Sequence, residues 1–245
     1  MEVIPAIDLR AGSVVRLVQG DYERQTTFSS DPVAVARGFE AAGAPRIHVV
    51  DLDAARSGVP AHTEVVRAIA AAVSVPIELG GGMRTAADVA AALDAGVGRV
   101  VVGTAAVRDP RLVSELLDVH GPARVVVALD AVDGLIAVSG WTESTRLAAA
   151  DLMARMAEAG VRRFIATDVA RDGMLSSPDF DGIAALVLQA RELGGNVRVI
   201  ASGGVATLDH LRRLAGLGVE GAIVGRAVYE GTVDLAEAVA ELGGE

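Results

Sequence analysis

The chain of 245 residues contains no cysteine. That excludes disulfides, thiolate metal sites and a cysteine nucleophile. It also contains no lysine, all 22 of its basic residues being arginine. Schiff-base catalysis through a lysine amine is therefore excluded. No apolar run reaches the roughly 18 residues of a membrane span. The N-terminus has no basic segment followed by an apolar stretch and cleavage site, so a secretory signal is not expected and the expected location is the cytoplasm. A net charge of −10 leaves no basic face for nucleic acid. It does not exclude phosphorylated small molecules, because backbone N–H groups and helix N-termini hold a phosphate locally.

What is present is a hydrophobic fraction of 51%, divided among many short runs. Eight Val/Ile-rich segments without polar alternation read as strands buried on both faces: Val3–Ile7, Ile47–Leu52, Val75–Leu79, Arg99–Val102, Arg124–Leu129, Arg163–Thr167, Val197–Ala201 and Gly221–Val224. Between them lie Ala-rich helix patterns at 32–42, 62–72, 86–95, 110–119, 146–159, 180–193, 208–217 and 233–242. Asp31-Pro32 and Asp109-Pro110 place a capping acid before an N1 proline, and Gly43, Gly96, Gly160 and Gly218 mark left-handed helix ends. Eight strand–helix units predict a single-domain α/β fold over residues 1–245, a (β/α)₈ TIM barrel, with a doubly wound open sheet as the rival. The longest non-helical insertion, Arg10–Ser30, reads as a β-ribbon near Val14–Val18 followed by a mobile loop; a second loop spans Ala131–Thr145.

The halves also repeat. A shift of 122 residues carries Gly81-Gly82 onto Gly203-Gly204, Thr85 onto Thr207, and Val102-Gly103 onto Val224-Gly225. It likewise carries Asp8 onto Asp130 and Gly12 onto Gly134. Half-barrels of about 1–122 and 123–245, closing about a twofold axis, follow from this and favour the barrel.

In such a barrel the C-terminal strand ends carry function. Here they read Asp8, Asp51, Gly80-Gly81-Gly82, Gly103-Thr104, Asp130, Thr167-Asp168, Ser202-Gly203-Gly204 and Gly225-Arg226. Glycine lets an anion approach the backbone, and a following helix adds partial positive charge. Two such seats, Gly81-Gly82 with Gly103-Thr104 and Gly203-Gly204 with Gly225-Arg226, predict a substrate with a phosphate at each end. Asp8 and Asp130, facing each other across the axis, predict an acid–base pair. Asp51, Asp53 and Asp172 fit helix capping or loop clamping equally well. The histidines are scattered, so no metal is expected, and Asp51-Leu52-Asp53 is weak as a cation site. His48 lies within the second strand. Trp141, the only tryptophan, sits in the loop after the fifth strand, covered either by a planar ligand or by packing.

These residues, in this order, resemble the HisA family, the phosphoribosylformimino-5-aminoimidazole carboxamide ribotide isomerases of histidine biosynthesis. The resemblance is carried by segments 4–9 (IPAIDL), 15–21 (VRLVQGD), 48–54 (HVVDLDA), 78–84 (ELGGGMR), 140–144 (GWTES), Thr167-Asp168 with 171–173 (RDG), and 201–205 (ASGGV). It implies an Amadori rearrangement of a bis-phosphorylated aldose (ProFAR) to its ketose (PRFAR), the aldose–ketose isomerase activity EC 5.3.1.16. It further implies Asp130 as the acid that opens the ribose ring, with Asp168 as a rival, and Asp8 as the base at C2. Thr167 and Asp168 are then polar groups about the opened sugar, and Arg16, Gln19 and Trp141 are loop residues closing over it. A monomer without cofactor is expected. The similar cyclase subunit of imidazole glycerol phosphate synthase is the alternative, but it typically carries cysteine where this chain has Ile7. Relatives that also isomerise phosphoribosylanthranilate carry arginine where this chain has Ser139. The chain departs from the family pattern at Met174 and at Ser177-Pro178-Asp179, which touches contacts of the sixth loop.

Overall fold

The computed structural model describes residues 1–243. In chain order the elements are β1 (Glu2–Arg10), β2 (Ser13–Val18), β3 (Asp21–Ser29), α1 (Pro32–Ala41), β4 (Ile47–Asp51), α2 (Leu52–Ser57) and α3 (Thr63–Ala72). Then follow β5 (Ile77–Gly80), α4 (Ala86–Asp94), β6 (Arg99–Val102), α5 (Thr104–Arg108), α6 (Pro110–His120), β7 (Val125–Val132), β8 (Leu135–Val138) and β9 (Glu143–Ala148). The chain continues through α7 (Ala149–Glu158), β10 (Arg163–Asp168), α8 (Phe180–Leu193), β11 (Arg198–Ser202), α9 (Leu208–Leu217), β12 (Gly221–Val224), α10 (Arg226–Tyr229) and α11 (Leu235–Leu242). Strands β1, β4, β5, β6, β7, β10, β11 and β12 pair in parallel, each with the next, and β12 returns to β1 with Glu2 opposite Gly221. The sheet is closed, a (β/α)₈ barrel, and the open-sheet rival falls.

Alternation along each strand divides the core in two. On β1, Val3, Ile7 and Leu9 join the shell between sheet and helices, while Ile4 and Ala6 join the barrel interior with Val101, Val126, Ala128, Ile165, Ile200 and Ile223. Phe164 is the bulkiest of the fully buried side chains. Truncating it to alanine removes about 3–5 kcal/mol of stability. The small interior side chains Ala6 and Ala128 lie just below Asp8 and Asp130, so the barrel opens into a cavity at its C-terminal end.

Both insertions are more ordered than loops. β2 pairs antiparallel with β1 and with β3, with register shifts between Val14 and Val15 and between Leu17 and Val18. β3 is mostly exposed and carries no apolar period, so its ladder rather than its pattern defines it. The second insertion is a hairpin extension of β7, with Ala137 opposite Ser144 and Val138 opposite Glu143. That pairing takes residues 146–148 out of the predicted helix, and α7 begins at Ala149. Asp31 caps α1 through Ala34 N–H, whereas Asp109 makes no cap bond and lies beside Arg111. The short helices α2, α5 and α10 were missed, being too brief to establish a period.

Positions related by the shift adopt matching backbone angles. φ is 92° at Gly81 and 90° at Gly203, then 74° at Gly82 and 77° at Gly204. Gly103 and Gly225 share φ/ψ of −103/−97° and −102/−98°, each opening a short helix. Thr85 and Thr207 cap α4 and α9 in the same extended conformation.

Candidate active site

The strand ends line a cavity of about 190 Å³. Asp8 projects into it from β1, 8% exposed, and is ion-paired with Arg16 of β2. Arg16 is itself largely buried; burial works against its charge, and Asp8 and Asp172 more than offset this and hold its pKa up. A β-carbon added at Gly225 would fall 1.1 Å from Arg16 Nη2, so only glycine leaves room for the guanidinium there.

Across the barrel, Asp130 follows the buried part of β7. Trp141 Nε1–H donates to its Oδ2 at 3.0 Å, and Thr167 stands opposite it on β10. Burial raises the Asp130 pKa, with Trp141, Thr167 and His48 pulling the other way. The Trp141 ring rests against Gly20, where an added β-carbon would meet it at 2.6 Å. The ring thus bridges the two insertions over the cavity.

A third carboxylate joins these two. Asp172, in the loop after β10, lines the same cavity. Burial raises its pKa to about 6, Asp8 and Asp130 adding to the rise and Arg16 and His48 opposing it. In the sequence Asp172 fits a cap or clamp as well as a functional role, because it lies beyond a strand end. The fold of the loop brings it inward, where Gln19 N–H donates to its carbonyl at 3.1 Å and Gln19 Nε2 to Ala170 O at 2.6 Å. Gln19 is therefore a clasp between two loops. Asp168 sits differently: it accepts from Arg171 Nε at 2.8 Å and Ala170 N–H at 3.0 Å, and it is not among the cavity-lining residues. Its carboxylate is spent on shaping the loop that carries Asp172. Thr167, by contrast, is buried and lines the cavity.

Gly81, Gly82, Gly103 and Thr104 form one wall, joined by Arg84. Thr104 Oγ1 also accepts from Ser139 N–H at 2.9 Å, tying this wall to the second insertion. Gly203, Gly204, Gly225 and Arg226 stand outside that wall. β-Carbons at Gly203 and Gly204 would meet Asp168 O at 2.8 Å and Ser177 O at 2.4 Å, and Arg226 Nη1 donates to Gly173 O at 2.8 Å. The second glycine turn thus packs under the loop bearing Asp172, and Arg16 lies on it. Asp51 caps α2 through Ala54 N–H and accepts from Ala61 and His62 N–H, while Asp53 accepts from Ala11 N–H and bonds His62. Both are loop clamps. No described helix is long and apolar enough to cross a membrane.

A model of a family described as histidine biosynthesis protein matches residues 2–234. A Roseiflexus protein named 1-(5-phosphoribosyl)-5-((5-phosphoribosylamino)methylideneamino) imidazole-4-carboxamide isomerase is 53% identical over 240 residues, covering 98% of this chain and 99% of its own. Proteins of the same name from Chloroflexus aggregans and Dehalococcoides mccartyi are 51% and 47% identical, covering 98% and 99% of this chain and 97% and 100% of theirs. The chain belongs to the histidine biosynthesis protein family.

Proposed function

We propose that this chain is the aldose–ketose isomerase its relatives are named for, acting by Amadori rearrangement on a ribosylamino-imidazole carboxamide with a phosphate at each end. The carrying observation is the ring of Asp8, Asp130 and Asp172 about one cavity, flanked by glycine turns of matching geometry. The reaction needs a proton delivered to the ribose ring oxygen and another removed from C2. Asp172 is the acid. Its raised pKa lets it carry a proton, and its oxygens are free of hydrogen bonds to the described residues. Asp130, held by Trp141 with Thr167 opposite, is the weaker proton carrier; it orients the sugar and couples electrostatically to Asp172. Protonation breaks the C1–O bond as the nitrogen lone pair forms C1=N. Asp8, in its ion pair with Arg16, takes the C2 proton; the C–H pair becomes C1=C2 and the imine pair returns to nitrogen. The enolamine then loses its hydroxyl proton and gains one at C1, giving the ketose.

Gly82, Gly103 and Thr104 seat one phosphate. Gly204, Gly225 and Arg226 seat the other, with the Arg16 charge alongside. Barrel phosphate sites use the last strand ends with a short extra helix, and α5 and α10 supply that helix in each half. The half-barrels are residues of about 1–122 and 123–245. No metal or organic cofactor takes part, and the enzyme works as a cytoplasmic monomer. Purified protein given the aldose substrate without ammonia should yield the ketose alone. An absolute need for ammonia or a partner would point to the cyclase reading instead, and no conversion at all would refute the proposal.

A further inference from the structure

The floor of the cavity holds a side chain that the scheme above leaves idle. His48 on β4 is 8% exposed and lines the cavity. Its Nδ1 lies 2.7 Å from Oε1 of Glu78 on β5, and Arg99 Nε on β6 pairs with Oε2 of the same carboxylate. The register accounts for the alignment: His48 is opposite Glu78, and Glu78 opposite Arg99, on neighbouring parallel strands. Glu78 is completely buried. Burial alone would push its carboxyl up, but His48 and Arg99 outweigh burial and bring it down to about 2. An ionised carboxylate only accepts, so the proton it shares with the imidazole sits on Nδ1. That leaves Nε2, without a partner among the described residues and open to the cavity.

Burial of this network is a poor stability device. The surrounding interior is Ile, Val and Ala, and a buried ion pair rarely outperforms well-packed apolar side chains. One of the Arg99 nitrogens is even left buried without a partner. A role at the cavity explains what packing does not.

We propose that Glu78 and Arg99 are positioning residues that lock His48 in its Nδ1–H form, so that Nε2 accepts a hydrogen bond from a hydroxyl of the bound sugar. The hydroxyl at C2 is the one that becomes an enol, and so turns acidic, when the enolamine forms, and its proton must leave when the enolamine becomes a ketone. A hydrogen bond to it strengthens along the reaction, so its loss falls on turnover more than on binding. The identity of that hydroxyl rests on the isomerase reading; the tautomer lock rests on geometry alone.

Two measurements separate these. Ring ¹⁵N spectra of ligand-free protein, with His48 assigned by its loss in His48→Asn, should show the proton on Nδ1 and a bare Nε2; Glu78→Gln should abolish that preference. A proton resident on Nε2 would overturn the lock. In kinetics, His48→Asn keeps a donor towards Glu78 but removes Nε2, and kcat should fall on the order of 100-fold with little change in KM. Glu78→Gln should cost about tenfold, as outer-shell partners do. His48→Gln, whose amide reaches towards the Nε2 position, should recover part of the loss. Wild-type kcat and KM in His48→Asn would refute the role in turnover. A wild-type protein that does not convert the aldose would sink the isomerase reading, while the nitrogen spectra still decide the lock.

Discussion

Among the carboxylates at the barrel mouth, Asp172 combines a raised pKa with oxygens that make no hydrogen bond to the described residues. An acid catalyst works protonated. With Asp172 pushed up to about 6, kcat/KM should be full below that pH and fall as pH rises through it. Asp172→Asn should remove this limb and cost on the order of 100-fold or more in rate. A pH–rate profile level across that pH in the wild type, or a limb surviving in the variant, would contradict the assignment. Asp8 and Asp130 stand out in the sequence because the repeat pairs them, and Asp168 because it ends a strand; Asp172, beyond a strand end, reads equally as a cap or a functional acid. The difference lies in the path of a loop: Arg171 turns back onto Asp168, and that turn delivers Asp172 to the cavity. The Arg171-Asp-Gly173 segment already stood among the family-like motifs, and it was the available signal.

At the level of elements, the barrel strands and the long helices were readable from apolar runs and caps. The antiparallel additions β3, β8 and β9 were not, because exposed strands are fixed by their partners. These additions flank the cavity, with Trp141 of the second insertion resting on Gly20 of the first. Gln19 bridges the first insertion to the loop after β10 by one backbone and one side-chain bond. Gln19→Ala removes the side-chain bond and should weaken substrate binding about fivefold with kcat nearly unchanged. Trp141, as the sole tryptophan, provides the readout, and its fluorescence should report substrate closure. The network across β4, β5 and β6 makes a separate prediction. Glu78→Gln strands Arg99 in the interior and should cost about 3–5 kcal/mol in urea unfolding. For the wild type, the folded pKa of Glu78 is depressed to about 2, so its contribution is complete above the ordinary carboxylate range and is lost as pH falls towards that value.

For the whole molecule, the twofold relation survives in the backbone and is broken in the side chains. The glycine turns of the two halves superpose in angle, yet one faces the open cavity and the other lies beneath Arg16 and the sixth loop. A structure with inorganic phosphate should place one ion at Gly82/Gly103 and a second at Gly204/Gly225 once Arg16 moves aside. Ser139, bonded by Arg108 at 2.9 Å, offers no positive charge of its own to an anthranilate carboxylate, so turnover of phosphoribosylanthranilate should be poor. Proton removal by Asp8 is the step on which the isomerisation turns. The most direct test is conversion of the bis-phosphorylated aldose in D₂O, followed by NMR. The wild type should produce ketose carrying solvent deuterium at C1, and Asp8→Asn, folded as the wild type is, should produce none. Ketose formed by Asp8→Asn at the wild-type rate would contradict the account.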